Sequence, residues 1–148
     1  MESEIKKYGC FVKGVEQKYP NVAPGTPIYA NAVVVDNIVY VSGMTAQKFE
    51  DGSCNTMQDQ MWVALSKMKQ VLEEAGSCLE NVFKTFIMLK DIKDYPVMRA
   101  AELKFYQEYA PELAEHPAAS TILQAGCLAR PEFLVEIECM AVLNRKKD

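Results

Sequence analysis

Long apolar runs are missing from this sequence, and arginine, histidine and paired cysteines are scarce. No apolar stretch approaches the roughly 20 residues that a membrane-spanning helix needs. The N-terminus, Met1-Glu2-Ser3-Glu4-Ile5-Lys6-Lys7, is mixed in charge and has no signal-like apolar core. The expected compartment is therefore the cytoplasm, with no membrane partner. The single histidine, His116, and five scattered cysteines with no C-x-x-C pair do not make a zinc set, so neither a metal nor a cofactor is expected. An odd number of cysteines predicts reduced thiols, with those on strand patterns acting as small core residues. Cys127 falls in a loop, and nothing near it in sequence lowers a thiol pKa. Arginine is limited to Arg99, Arg130 and Arg145, and the net charge is -4 with a pI of about 5.1. That balance lacks the basic footprint of a nucleic-acid binder, and no nucleic-acid partner is expected. The one basic run, Arg145-Lys146-Lys147, reads as part of a solvated tail over 144–148.

What is present is enough for one domain: 148 residues, of which 49% are apolar. Residues 1–22 read as an arm or short helix, followed by turn-forming Pro24-Gly25-Thr26-Pro27. Ala32–Val35 and Ile38–Ser42 are β-branched and apolar, with Asp36-Asn37 between them for a two-residue hairpin. Gly43 then predicts a bulge or a close backbone approach. A helix starts near Thr56, where Asp59 completes a loose capping box, and runs with Met57, Met61, Leu65, Met68 and Leu72 on one face to Gly76. Val82–Leu89 reads as a strand, Asp94 to Tyr109 as a capped helix and Pro111 to Pro117 as a loop. Ser120–Gln124 and Phe133–Leu143 read as the last strands. The order β-β-α-β-α-β-β predicts an α+β fold with two helices on one face of a mixed sheet. The other face stays bare in a single chain, which predicts self-association.

These segments match a known pattern. Pro27-Ile28-Tyr29-Ala30-Asn31-Ala32-Val33, then Val39-Tyr40-Val41-Ser42-Gly43-Met44, resembles the opening hairpin of the RidA family, also called YjgF or endoribonuclease L-PSP-like. Val71-Leu72-Glu73-Glu74-Ala75-Gly76 resembles its first helix ending, and Leu134-Val135-Glu136-Ile137-Glu138 its closing strand. The similarity runs from Ala23 to Val142 in consistent order, within a domain set at 23–143. It implies a chorismate-mutase-like fold, a homotrimer, ligand clefts between subunits and hydrolysis of reactive enamines and imines.

In such a site a cation holds the carboxylate of a 2-imino acid, and an acceptor places the attacking water. The resemblance implies Glu136 for the water and Tyr29 as a cleft wall from the neighbouring subunit. It places the backbones of Gly43 and Thr121 at the ligand. The family's Pro-Ala-Arg-Ser motif corresponds to Pro117-Ala118-Ala119-Ser120, which the resemblance places at the ligand, so the anchoring arginine is Ala119 here and Ser120 stands beside it in the site. Losing one partner of a buried charge pair costs about 2–5 kcal/mol, roughly thirty-fold to several thousand-fold in binding. Arg130 is the substitute suggested by position, while Arg99 is assigned to a solvated helix face. His116 precedes the motif and is not assigned as a base. Glu136 and Tyr29 also have a structural reading, as groups packed across an interface. Three functions stay open: an enamine/imine deaminase, a non-catalytic binder of a small organic acid or other metabolite, and a ribonuclease or translation inhibitor, the last disfavoured by charge.

Overall fold

The computed structural model describes residues 1–9 and 27–146. Six strands form one mixed sheet: β1 Ile5–Tyr8, β2 Ala32–Val35, β3 Ile38–Thr45, β4 Val82–Leu89, β5 Ala119–Gln124 and β6 Val135–Val142. Their spatial order is β1-β2-β3-β6-β4-β5, antiparallel throughout except for the parallel β4–β5 edge. Three helices, α1 Met57–Glu74, α2 Tyr95–Tyr109 and the short α3 Pro111–Glu115, complete the α+β fold.

Local chemistry explains most of these boundaries. Asp36 adopts φ 52° and closes the two-residue hairpin, where its short polar side chain tolerates the left-handed region. Thr56 caps α1: its Oγ1 accepts from Asp59 N at 3.2 Å and donates to Asp59 Oδ2 at 2.9 Å. Gly76, at φ 87°, ends that helix. The predicted cap at Asp94 is not made; Asp91 instead accepts from Lys93 N at 2.9 Å and caps the turn before α2.

Two elements depart from the sequence expectation. Ile5–Tyr8, assigned to an arm or helix, is a strand; residues 10–22 of that segment and the turn expected at Pro24-Gly25-Thr26 lie outside the described residues. Its two lysines suit an edge strand, where charge blocks further strand addition. The stretch expected as a loop after Tyr109 contains α3, because Pro111 fits the first helical turn and Leu113 gives it a buried anchor. The C-terminal tail is also held more than expected. Asn37 and Asn144 exchange two hydrogen bonds, at 3.0 and 3.1 Å, and Arg145 meets Glu112 at 2.7 Å.

The core lies wholly between the sheet and α1 with α2. Met61, Leu65, Met68 and Leu72 of α1 face Val39, Met44, Ile87 and Ile137 of the sheet, all but inaccessible to solvent. Trp62 meets Phe105 edge-on at 4.9 Å, closing the seam between the helices. Cys139 belongs to this core, where burial first and then Glu138 push its thiol to about 12, so it packs as an inert small residue.

One buried polar residue ties the helix layer to β6. Gln60 is inaccessible to solvent, donates to Glu132 O at 2.9 Å and Cys54 O at 3.3 Å, and accepts from Leu134 N at 2.8 Å. It therefore fixes the chain that leads into β6. Gln60→Leu preserves much of the volume but strands these backbone groups, and it is expected to lower unfolding stability by about 2–4 kcal/mol. Urea denaturation followed by circular dichroism measures this; an unchanged midpoint would refute the clamp.

Candidate functional site

Strand alternation sends every second side chain to the sheet face that none of the described helices covers. Register makes Lys84 face Met140 and Ala119, Phe86 face Glu138 and Thr121, and Met88 face Glu136 and Leu123. Val33, Tyr40 and Met140 continue the first of these rows. This face is largely apolar but only half-buried: Tyr40 is 46% exposed and Leu123 is 41% exposed. Among the described residues, the face expected from the sequence to be bare is uncovered.

Glu136 and Gly43 meet where β3 bulges. The β3–β6 register shifts between Val41 and Met44, and the bulge brings Gly43 under the Glu136 side chain. A methyl group on Gly43 would come within 2.9 Å of Glu136 Cδ, so glycine is what leaves room for the carboxylate there. Ser42 Oγ donates to Ala30 O at 2.7 Å, and Ser42 N donates to Asn31 O at 2.9 Å. These bonds lay the Tyr29–Asn31 segment against the bulge. Lys67 Nζ donates to Thr45 O at 2.7 Å and pins the end of β3 beside Glu136. Burial, and then the charge of Glu138, holds the Glu136 carboxyl above the ordinary carboxylate value.

Ala119 lies at the opposite end of this face and Thr121 in the row between, both on the edge strand β5. From their rows to that of Glu136 is up to four residues along β4 and two strands across, about 13 Å by about 10 Å. Within one chain the candidate residues thus fall into two groups: Tyr29, Gly43 and Glu136 around the β3 bulge, Ala119 and Thr121 on the edge strand two strands away from Glu136.

Three assignments change on this geometry. Ser120 points to the helix layer, where its Oγ accepts from Arg99 Nη2 at 2.9 Å, so its hydroxyl is on the face opposite Ala119 and Thr121. Arg99 is not on a free helix surface: Glu102 and Ser120 bind it, and its guanidinium lies 5.5 Å from the Tyr95 ring centre. Arg130 stands on the loop joining β5 to β6, beside Glu132 at 3.8 Å, and this loop leaves the sheet at the Glu136 end. It therefore cannot take the place of the missing arginine at Ala119 of its own chain. The sequence reading passed over Lys84, which lies across from Ala119 and donates to Thr121 Oγ1. Its only sequence signal was a lone charge inside an apolar strand.

Residues 21–143 match the family described as Endoribonuclease L-PSP. The chain belongs to this RidA/YjgF family. It is 36% identical over 125 residues to 3-aminoacrylate deaminase RutC of Acinetobacter baylyi, covering 82% of this chain and 89% of that protein. Over 119 residues it is 30% identical to 2-iminobutanoate/2-iminopropanoate deaminase of Dermatophagoides farinae, covering 78% and 86%. It spans 58% of the longer chloroplastic Reactive Intermediate Deaminase A of Arabidopsis thaliana, at 28% identity and with 78% of this chain covered. A crystal structure of a protein of unknown function from Pseudomonas aeruginosa matches with a TM-score of 0.76 at 26% identity, over 97% of this chain and 95% of that one. The fold of this RidA-family chain is therefore the YjgF fold.

The raised pKa of Glu136 sets a sign for stability. The native carboxyl holds its proton more tightly than the unfolded one, so its stabilising contribution is present at low pH and lost as pH rises through the native value. Glu136→Gln is expected to unfold at an equal or higher temperature than wild type at pH 7.5, with the difference shrinking toward pH 4. A drop in unfolding temperature at neutral pH would contradict the burial argument.

Proposed function

We propose that this RidA-family protein is an enamine/imine deaminase that assembles as a homotrimer and binds a small organic acid in clefts between subunits. One observation carries the reading: the two groups of site residues share a bare apolar face but stand too far apart for one small ligand. A three- or four-carbon acid spans only about 5 Å. A second copy, laid against that face, supplies one group to complete the other. The named activities of the Acinetobacter and Dermatophagoides relatives support the chemistry, since both act on small unsaturated nitrogen compounds bearing a carboxylate.

The reaction needs little machinery. Ionised Glu136 accepts a hydrogen bond from water and aims its oxygen at the imine carbon. As the C–O bond forms, the water proton passes to Glu136 and the imine nitrogen gains the electron pair. Glu136 returns the proton to that nitrogen to give a carbinolamine; it then carries the hydroxyl proton to the nitrogen as the C=O bond forms and the C–N bond breaks, and a 2-oxo acid and ammonia leave. The upward shift of the Glu136 carboxyl suits a group that takes and returns a proton.

A second reading, a binding protein without turnover, is favoured by the alanine at 119. The two separate when 2-iminobutanoate or 2-iminopropanoate is generated in situ with an amino-acid oxidase and loss of the imine is followed. Wild type is expected to accelerate hydrolysis, and Glu136→Gln to lose about a hundred-fold or more. Gly43→Ala, which displaces the same carboxylate, is expected to lose activity in the same direction. A wild type no faster than buffer would eliminate the deaminase. Assembly is tested by sedimentation: the wild type should run at three chain masses, and Tyr40→Glu, which buries a charge in the interface, as a monomer. A monomeric wild type would remove the shared cleft.

A further inference from the structure

We propose that Lys84 is the anion anchor of the cleft, supplying from β4 the positive charge that Ala119 does not supply from β5. Lys84 and Ala119 are direct cross-strand partners on the uncovered face, so their side chains rise side by side from neighbouring strands. The lysine side chain leans over β5, where its ammonium donates to Thr121 Oγ1. The charge is thereby held between the rows of residues 119 and 121.

Two further features make this corner a receptor for an anion. Lys84 forms no ion pair among the described residues, although Glu136 and Glu138 share its face, so its charge is available. Thr121 uses its oxygen to accept from Lys84 and keeps its own proton to donate. β5 is also the edge of the sheet, so half of its backbone N–H groups point away from any strand partner. An ammonium, a hydroxyl and edge amides together offer donors, which is what a carboxylate accepts from. The other arginines do not compete within the chain: Arg99 is bound on the opposite face, and Arg130 stands at the far end of the sheet. A lysine differs from the family arginine in presenting a point charge rather than a planar fork. It recognises the negative charge of the ligand with weaker demands on orientation.

This inference rests on the cleft reading but not on turnover, so binding and catalysis are measured apart. Binding of 2-oxobutanoate and of its neutral amide, 2-oxobutanamide, to the intact protein is followed by calorimetry. Wild type is expected to prefer the acid by about ten-fold or more, the size of one charge-assisted contact. Lys84→Met should abolish that preference while leaving amide binding, sedimentation and unfolding temperature close to wild type. Lys84→Arg should keep the preference, and adding Ala119→Arg to Lys84→Met should restore it. The proposal is overturned if Lys84→Met retains the preference, if Arg130→Gln alone removes it, or if wild type binds no acid. An acid preference that depends on Lys84 in a protein without imine hydrolysis would sink the deaminase and leave the anchor standing.

Discussion

Every other feature of the described residues follows from their helices covering the sheet on one side only. Both long helices lie against the same face, so the core is a single layer between them and the strands, with Met61, Leu65, Met68, Ile87 and Ile137 out of solvent. The other face receives the alternate side chains of the same strands, and among the described residues no helix lies above it. Tyr40, Phe86, Met88 and Met140 give it an apolar character that burial would favour. Because the two faces alternate residue by residue, core packing and site geometry share one register. A slip of one residue in β6 would send Glu136 into the core and Ile137 to the open face.

The position of Glu136 is set by contacts from several directions. Gln60 fixes the chain entering β6, Lys67 holds the end of β3, and the bulge at Gly43 makes room for the carboxylate. None of these groups needs to touch a ligand. They hold a half-buried carboxylate in a strand whose neighbours are apolar, and the same burial raises its proton affinity. Structural restraint and chemical tuning therefore have one physical source.

Charge distribution separates the two faces. On the helix side, Arg99 is neutralised by Glu102 and bonded to Ser120, which makes it part of the packing between α2 and β5. On the open side, Lys84 is bonded to a hydroxyl and to no carboxylate among the described residues. Adjacent residues of β5 thus face opposite ways: Ser120 toward the helix layer, Ala119 and Thr121 toward the open side. The linear motif Pro117-Ala118-Ala119-Ser120 treats them as one unit, which is why its serine was assigned to the site.

The amino-acid sequence by itself determined the α+β class, the Asp36-Asn37 hairpin, the Thr56 cap, the Gly43 bulge, the span of β4 and the bare sheet face. Each of these is written in short-range terms: periodicity, capping chemistry or the backbone tolerance of a residue. It did not reveal β1 or α3, because a four-residue edge strand with two lysines and a one-turn helix opened by proline carry almost no periodic signal. Only the tertiary structure decided which face each β5 residue serves, which end of the sheet Arg130 occupies, and that Lys84 rises beside Ala119. Those relations join residues as many as 37 apart in sequence, as in the Lys84–Thr121 bond, through strand register. Register is a property of the folded sheet and of no single segment within it.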